Sequence, residues 1–376
     1  MAKGAYIGVG GVAHKIKKGY IGVNGIARKI KKAYIGVGGV ARPFWSGGEV
    51  VYYGTATALS ESRYNLAATS VGAYALFGGG YNDTAKYTST VDAYDPSLTR
   101  STPTALSVKR NQLAATSVGN YAVFGGGYNG LNAQNTVDAY DTSLTRSIPT
   151  VLSMIRYNLA ATSVGNYALF GGGQSGSSSD ENTVDAYNES LTRSTPTALS
   201  SKRKTLAAAS VGNYALFGGG GMTSNIVDAY DTSLTRSTPT TLSVGRGQLA
   251  ATSVGNYALF GGGYGGSPLT TNQSTVDAYD TSLTRSTPTA LSKERYNLAA
   301  TSVGDYALFG GGYSSGTSYV NHRVVDAYDP SLTRSTPTGF DAGRRQLAAA
   351  SVGNYALFGG GAMPAGSDTV YVYIVA

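Results

Sequence analysis

The sequence predicts an all-β chain that forms a seven-bladed β-propeller, in which four-stranded sheets surround a common axis. The first supporting observation is a repeat: the segment LAATSVGNYALFGGG at residues 249–263 occurs in seven similar copies, spaced 43–49 residues apart. Periods of this size are typical of solenoids, propellers and arrays. The second is composition, because 52 Gly, 29 Tyr and only 13% charged residues favour short strands and tight turns over helices. The copies begin at Leu66, Leu113, Leu159, Leu206, Leu249, Leu298 and Leu347.

The third observation is that one repeat contains four strand patterns. After Leu113, the short apolar runs AATSV and YAVFGGG are joined by the reverse-turn pair Gly119-Asn120. The run TVDAYD alternates apolar and polar residues, as a half-buried strand does. The segment LTRSIPTVLS then supplies a fourth strand, which Pro149 restricts to the edge of the sheet. The small residues of the first two strands, including the triplet Gly125–Gly127, suit a crowded place near an axis.

The glycine triplet and the later strand together resemble a kelch repeat. In the first copy the triplet is Gly78–Gly80, and the later strand carries Val91, Tyr94 and Asp95. The resemblance covers residues 49–376 and implies a propeller of four-stranded blades. Kelch repeats usually carry Trp on the fourth strand, so we expect different packing there, because these repeats carry Arg100, Arg146, Arg193, Arg236, Arg285 and Arg334.

The two chain ends are predicted to share the last blade. The C-terminal TVYVYIVA is the seventh third strand, and no fourth strand follows it. The segment VVYYGTATALSESRYN near the N-terminus, whose TATALS aligns with TPTALS elsewhere, must therefore supply the outer strand. In the first blade we expect Asp92 and Arg100 to lie directly across the ladder from each other. The last blade carries Tyr371 and Tyr53 at these positions, which predicts an aromatic pair in place of an ion pair.

The loops after the second and fourth strands share one face of a propeller, and here they differ from copy to copy. We call this the variable face. Tyr and Arg offer rigid apolar surface and planar hydrogen-bond donors, which suit a host-surface glycan. Two alternatives stay open: exposed loops drift freely, and the repeated Arg satisfies backbone carbonyls between blades. The candidate ligand-binding residues are Tyr81, Tyr128, Tyr264, Tyr313, Arg63, Arg110, Arg156, Arg203, Arg246, Arg295 and Arg344.

Little in the sequence indicates catalysis. His14 and His322 are too few for a His-cluster metal site, and no helix or Lys-Ser/Thr pair follows the glycine triplets, as phosphate binding requires. The acids confined to single variable loops show no pairing between blades that glycoside hydrolysis would use. We therefore expect no enzyme, no cofactor and no metal. Those acids are Glu61, Asp83, Asp180, Glu181, Glu294, Asp341 and Asp368.

The net charge of +8 is concentrated in residues 1–45, which hold nine Lys and Arg and no acid, against 20 basic and 21 acidic residues in the remainder. The predicted propeller thus lacks the basic face that nucleic-acid binding requires. No apolar run is long enough to cross a bilayer, no signal-peptide pattern is present, and there is no cysteine. We expect synthesis in the host cytoplasm and no membrane insertion.

Residues 1–45 contain three 14-residue repeats that place Tyr6, Tyr20 and Tyr34 in register. The sequence Val23-Asn24-Gly25-Ile26 predicts a hairpin turn. That turn places four apolar residues on one face, interrupted by Arg28. Such small hairpins bury little surface alone, so this segment is predicted to dock on another chain or to self-associate. The apolar residues are Ile21, Val23, Ile26 and Ile30.

The Tyr-Ile-Gly-Val repeats resemble those that open proteins of phage and prophage tail and baseplate regions. The resemblance implies an anchor at residues 1–45, bound to other virion or tail proteins, and a displayed propeller at residues 46–376. The function expected is a non-enzymatic adhesin, the receptor-binding component of a phage tail or tail-like particle. A structural or decoration protein of a virion, with no host ligand, is the alternative.

Overall fold

The computed structural model describes residues 48–176, 179–266, 271–316 and 319–376, together with the backbone of six strands within residues 6–45. In this part of the chain, seven four-stranded antiparallel sheets form the blades of a β-propeller. We number them in chain order. No helix among the described residues is long and apolar enough to span a membrane.

The first two strands of each blade form a hairpin, as predicted from the apolar runs on either side of the Gly-Asn turn. The first strands are Ala67–Val71, Ala114–Val118, Ala160–Val164, Ala207–Val211, Ala250–Val254, Ala299–Val303 and Ala348–Val352. The second strands are Tyr74–Gly78, Tyr121–Gly125, Tyr167–Gly171, Tyr214–Gly218, Tyr257–Gly261, Tyr306–Gly310 and Tyr355–Gly359.

The third strands continue each sheet outward and the outer strands end it. The third strands are Val91–Tyr94, Val137–Asp141, Val184–Asn188, Val227–Asp231, Val276–Asp280, Val325–Tyr328 and Val370–Val375. The outer strands are Arg100–Ser101, Arg146–Ser147, Arg193–Ser194, Arg236–Ser237, Arg285–Ser286, Arg334–Ser335 and, in blade 7, Val50–Thr55.

The hydrophobic core lies between neighbouring blades. Between blades 2 and 3, for example, Val137 and Ala139 of one sheet pack with Phe170 and Tyr187 of the next. Each of these side chains is fully buried, and burying a residue the size of Phe stabilises a fold by about 1.5–3 kcal/mol. Equivalent clusters join every pair of neighbours, including blades 7 and 1, so the seven blades form a closed ring.

The first glycine of each triplet is required by this packing. A Cβ atom on Gly125 would lie 2.9 Å from Cε1 of Phe170 in the next blade. The same relation runs around the ring and closes where Gly359 of blade 7 meets Phe77 of blade 1. The crowding predicted from the small residues is therefore crowding between blades at the end of the second strand.

The chain ends meet in blade 7, as predicted: Val50–Thr55 pairs antiparallel with Val370–Val375. The expected pairing of Tyr53 with Tyr371 is wrong. A register shift between Val372 and Tyr373 leaves Thr55 opposite Tyr371 and Tyr52 opposite Tyr373. Tyr52 supplies the aromatic contact to Tyr371, at a ring-centroid distance of 6.4 Å. The bulge turns Tyr53 toward Tyr355, where the centroids lie 5.4 Å apart.

The outer strands of blades 1–6 are two residues long, much shorter than the predicted ten-residue strand. Their register also differs, because Arg100 lies opposite Tyr94 and not opposite Asp92. The reason is a five-residue turn in which Leu98 has a φ of +63° and the Asp95 carboxylate accepts the Thr99 N–H. Asp92 and Arg100 still form an ion pair, diagonally, with Nε and Oδ1 3.6 Å apart.

Three hairpins are present in residues 6–45, as the 14-residue repeat predicts. In the second hairpin, Val23 lies opposite Ile26 and Ile21 opposite Arg28, so the expected register is confirmed. The roles predicted for the tyrosine and apolar side chains fall on residues whose side chains lie outside the described part. The strands are Tyr6–Val9 with Val12–Lys15, Gly19–Val23 with Ile26–Ile30, and Ala33–Val37 with Val40–Trp45.

Candidate ligand-binding face

The variable face is built where the glycine triplet of a blade meets the segment that leads into its first strand. In blade 1 the residue after the triplet, Tyr81, exchanges two backbone hydrogen bonds with Tyr64, at 2.7 and 3.0 Å. Bridges at the same place hold Tyr128 on Asn111 and Tyr313 on Tyr296. In these three blades, backbone pairing therefore holds the main chain at the residue that follows the triplet.

Six of the seven arginines predicted to bind a ligand point into the blades instead. They are 0–2% exposed, so a ligand on the variable face cannot reach their guanidinium groups. They also donate to backbone carbonyls; Arg63 Nη2, for example, donates to the Phe77 carbonyl oxygen of its own blade. The structure thus agrees with the alternative that the repeated arginines satisfy backbone carbonyls. The carbonyl belongs to the same blade, however, and not to a contact between blades as expected. These six are Arg63, Arg110, Arg156, Arg203, Arg246 and Arg295.

Each buried arginine is paired with the first Asp of the VDAY motif. In blade 2, Arg110 Nη2 lies 2.8 Å from Asp138 Oδ2. Arg146 approaches the other carboxylate oxygen at 3.3 Å, and the Ser107 N–H donates to it at 2.9 Å. The Ser107 hydroxyl also donates, to Oδ2 at 3.1 Å. Asp138 is fully buried, so these four donors compensate its lost hydration. Burial lowers the pKa of the Arg110 guanidinium, and the facing carboxylate opposes this shift. This arrangement explains why Arg occupies the fourth-strand position where kelch repeats carry Trp.

Blade 7 lacks the carboxylate, and its arginine is correspondingly different. Tyr371 takes the Asp position and stacks on Phe340, with ring centroids 4.4 Å apart. Within the described residues Arg344 forms no salt bridge; its Nη1 donates to the Gly343 carbonyl oxygen at 3.1 Å. Arg344 is partly exposed, so of the seven predicted arginines it alone retains access to solvent.

The predicted tyrosines lie in two aromatic arcs on the variable face. The first arc crosses blades 1 to 3, and its neighbouring ring centroids are 5.3–5.9 Å apart. All five rings are partly exposed. Burial, which is the largest cause, raises the pKa of Tyr64 and Tyr87, so both phenols stay protonated as hydrogen-bond donors. In order, the rings are Tyr64, Tyr81, Tyr87, Tyr128 and Tyr157.

The second arc spans blades 5 and 6. Tyr296 contacts both Tyr264 and Tyr313, at centroid distances of 5.2 and 5.4 Å. Tyr319, which is 77% exposed, stacks on Tyr313. The guanidinium group of Arg345 also contacts Tyr313, at 4.6 Å from the ring centroid. All four predicted tyrosines therefore belong to an arc, together with tyrosines that the sequence interpretation did not select.

Neighbouring loops of this face are tied to each other. Asn272 in blade 5 donates to the Ser315 carbonyl oxygen of blade 6 and accepts the Ser315 N–H. Across the closure of the ring, Asp83 of blade 1 accepts the Gly366 N–H of blade 7 at 2.6 Å. Such bonds reduce the ordering that a ligand would have to impose.

A feature missed by sequence interpretation lies on the propeller axis. The residue before each repeat leucine donates its backbone N–H to the carbonyl oxygen of the equivalent residue in the preceding blade, at 2.8–3.0 Å, and the seven bonds form a closed circle. These residues and the seven leucines line a cavity of about 320 Å³. The only sequence signal was their uniform polarity: they are Asn65, Gln112, Asn158, Thr205, Gln248, Asn297 and Gln346.

His322 is the one histidine whose side chain the structure describes. Its Nε2 lies 2.9 Å from Ser314 Oγ. Burial, together with the nearby charges of Arg295 and Lys293, lowers the pKa of His322 to about 4. The ring is therefore neutral near pH 7. In the described residues, no group of three or more His, Cys, Asp or Glu side chains could hold a metal ion.

A comparison with solved structures supports the fold. The structure of YjhT superposes with a TM-score of 0.59 and 12% sequence identity, covering 75% of this chain and 99% of YjhT. At this identity the likeness shows the propeller fold alone. No protein-family model and no curated protein matches the sequence.

Proposed function

We propose that this chain is a non-enzymatic adhesin that binds a host-surface glycan through the variable face. The observation that carries the proposal is the pair of aromatic arcs. They place nine tyrosines in two connected rows on the face whose loops differ most from blade to blade. The strand residues recur in every blade because each blade needs them to fold. The arc tyrosines occur in some blades and are replaced in others, so the fold of the blade does not require them.

The chemistry of the arcs fits a carbohydrate. A tyrosine ring presents an apolar plate, which can pack on the C–H face of a sugar, and a hydroxyl that can bond to sugar hydroxyls. Because Tyr has only two side-chain torsions, holding it in place costs little conformational entropy. The ring contacts in the arcs restrict these torsions further, so a glycan would meet a surface that is already ordered.

The charge distribution favours a polar ligand of low charge. The six arginines that could have gripped phosphate or carboxylate groups are buried on aspartates. Among the described residues, two cations lie against arc rings: Lys86, 5.8 Å from the Tyr81 ring centroid, and Arg345 at Tyr313. A neutral or weakly charged polysaccharide therefore fits better than a highly anionic one.

The place of the protein in a phage tail or tail-like particle is part of this proposal and depends on the resemblance of residues 1–45. In this scheme the three hairpins bind other virion or tail proteins, or a second copy of the chain, and the propeller is displayed. The attachment itself remains a prediction.

One observation favours the alternative of a structural or decoration protein. The connection from blade 2 to blade 3 exposes four apolar side chains where the other blades mostly carry Thr, Ala, Ser or Lys. Exposed apolar groups gathered in one segment are typical of protein contacts, and a neighbouring virion protein would cover them. The four residues are Ile148, Val151, Met154 and Ile155, each 37–56% exposed.

A glycan array and a host-cell binding assay with the full-length chain test the proposal. The variants are Tyr128→Ala, in the first arc, and Tyr264→Ala, in the second. Tyr121→Ala and Tyr257→Ala are matched controls, because these tyrosines are also partly exposed but begin the second strands at the opposite face. Loss of an arc ring is expected to weaken binding at least tenfold, or about 1.4 kcal/mol.

The controls decide how a loss is interpreted. Weaker binding in the arc variants alone supports adhesion through the variable face. Equal weakening in Tyr121→Ala and Tyr257→Ala would contradict the choice of face. A chain that binds no glycan and no host cell would overturn adhesion and favour decoration.

A further inference from the structure

We propose that the cavity on the propeller axis binds the terminal sugar of the glycan end-on, as a neutral pyranose unit. This inference rests on the proposed function and adds the position and the kind of group recognised. Its basis is a ring of polar side chains, one from each blade, around a floor of leucines.

The backbone groups of the ring residues around the cavity already hydrogen-bond to one another. Asn158, for example, donates its N–H to the Gln112 carbonyl oxygen at 3.0 Å, and its own carbonyl oxygen accepts the Thr205 N–H at 2.9 Å. Since every member of the ring uses its N–H in this way, the ring backbone offers a ligand no donor, and the side chains supply the donors. The closed circle also fixes the spacing of those side chains.

Six of the seven side chains are carboxamides without a protein partner. Among the residues that the structure describes, neither the three Asn nor the three Gln side chains of the ring form a hydrogen bond, whereas Thr205 Oγ1 donates to the Lys204 carbonyl oxygen. Each carboxamide offers two N–H donors and an acceptor oxygen. Sugar hydroxyls both donate and accept, so they can pair with all of these groups.

The seven residues of the axial ring have a backbone conformation that is unusual for residues with a side chain. Every ring residue has a φ between +52° and +57°, in the left-handed region that favours glycine. Asn tolerates this region, but Gln and the β-branched Thr205 do so at a cost. This chain uses glycine for such a conformation in the opposite-face turns, for example at Gly119, and leucine in the turns before the outer strands of blades 1–6, for example at Leu98. All seven ring positions carry neither glycine nor leucine but a polar residue that lines the cavity.

The leucines at the base of the cavity and the lack of charge in its lining favour a neutral ligand with an apolar face. The leucines, such as Leu159, are 6–8% exposed and can pack on the C–H face of a pyranose ring. Within the described part of the chain, no charged side chain lines the cavity, so an ionised ligand would lose hydration without gaining a countercharge. A volume of about 320 Å³ lies at the lower end of the range of about 300–1,000 Å³ for small-molecule sites, which suits one or two sugar units.

The cavity adjoins the aromatic arcs. Tyr64, Tyr157 and Tyr296 directly precede ring residues Asn65, Asn158 and Asn297. A glycan whose last unit sits in the cavity would therefore leave it across an arc. In this arrangement the carboxamides recognise the chain end, and the tyrosines hold the units that follow.

Saturation-transfer NMR with methyl glycosides of neutral hexoses and N-acetylhexosamines, added to the full-length chain, tests the cavity without the arcs. The cavity variant is the triple Asn65→Gly, Asn158→Gly and Asn297→Gly, which removes three carboxamides and keeps the left-handed backbone. The matched control makes the same three changes in the opposite-face turns: Asn120→Gly, Asn166→Gly and Asn256→Gly. If the first triple does not fold, the isosteric triple to Asp replaces the donors with carboxylates.

At least one glycoside is expected to bind, at least tenfold more weakly to either cavity triple and unchanged to the control triple. No glycoside binding, or binding that survives in the cavity triples, would overturn the inference. So would displacement of the glycoside by inorganic phosphate, because it would show an anion site.

Different results would contradict the adhesin proposal and the axial site. If array glycans bind through the arcs but are unaffected by the cavity triples, the adhesin proposal stands and the axial site is wrong. If a glycoside binds the cavity but no array glycan or host cell is bound, the axial site stands and the adhesin proposal is wrong.

Discussion

The backbone N–H of Asn65 donates to the carbonyl oxygen of Gln346 at 2.9 Å and joins the first blade to the last. This bond is one of seven equivalent bonds around the axis. It is formed only if the ring is closed, and blade 7, on one side of this closure, takes its outer strand from the N-terminal segment. The closed circle of axial bonds, and the cavity that it surrounds, therefore require the first and last blades to be neighbours.

The pairing of the chain ends can be locked by a disulfide. Val50 lies opposite Val375, and the chain has no cysteine, so within one chain Val50→Cys with Val375→Cys can form only the intended bond. We expect rapid oxidation and an increase in unfolding free energy of up to about 5 kcal/mol, measured by denaturant titration with and without reductant. Val51→Cys with Val375→Cys is the control, because adjacent strand residues point to opposite faces. Equal oxidation of both pairs, or of neither, would contradict the register.

Removing a buried arginine is expected to destabilise blades 1–6 strongly. Arg110→Met leaves Asp138 buried without its main partner, which costs about 3–5 kcal/mol of unfolding free energy. Arg344→Met is the matched control, since blade 7 has Tyr371 at the aspartate position, and we expect it to cost about 1 kcal/mol. Chemical denaturation of both variants measures the difference. Similar losses in the two would show that the ion pair is not what stabilises this position.

A methyl group on the first glycine of a triplet should destabilise the packing between two neighbouring blades. Gly125→Ala places its Cβ against the Phe170 ring, and such overpacking costs about 1–3 kcal/mol. Gly176→Ala is the control, because nothing lies within 4 Å of its added Cβ. Adding Phe170→Leu to Gly125→Ala should recover part of the loss if the ring contact is the cause. A double variant no more stable than expected from additive effects would speak against that contact.

His322 should make the fold sensitive to mild acid. Its pKa is lowered to about 4 from an ordinary value of 6.5, so the unfolded chain binds this proton more readily. The contribution of His322 to stability is therefore complete above pH 6.5 and is lost as the pH falls toward 4. Histidine NMR titration, with His14→Gln to assign the signals, measures the pKa. A value for His322 at or above 6.5 would contradict the described burial, and His322→Gln should flatten the loss of stability between pH 6.5 and 4.

The repeats made most of the fold predictable. Seven copies of one pattern indicate the number of blades, and the missing outer strand at the C-terminus indicates that the N-terminal segment replaces it. The error in register arose from Leu98, because a leucine in the left-handed region is uncommon and lengthens the turn. The short outer strands follow from the prolines, which the sequence interpretation had placed within a longer strand.

The binding face was predictable only in part. Tyr128 and its equivalents were identified because they vary between copies, but their partners such as Tyr157 occupy a different loop, and only the fold brings the two together. Arg110 and its equivalents occur in every copy, whereas the aspartate occurs in six and is replaced by Tyr371 in blade 7; the sequence left a structural role for the arginines open beside ligand binding. The axial ring could not be recognised, since its members differ in side chain and meet only when the seven blades close.

A structure of the full-length chain bound to the glycan that it retains most tightly would decide between the variable face and any other place of contact. We expect the terminal sugar over the axial leucines, within hydrogen-bond distance of Asn158 and its equivalents, and the following units on one tyrosine arc. A glycan seated on the opposite face, at the Gly119-Asn120 turn and its equivalents, would contradict the function proposed for this protein.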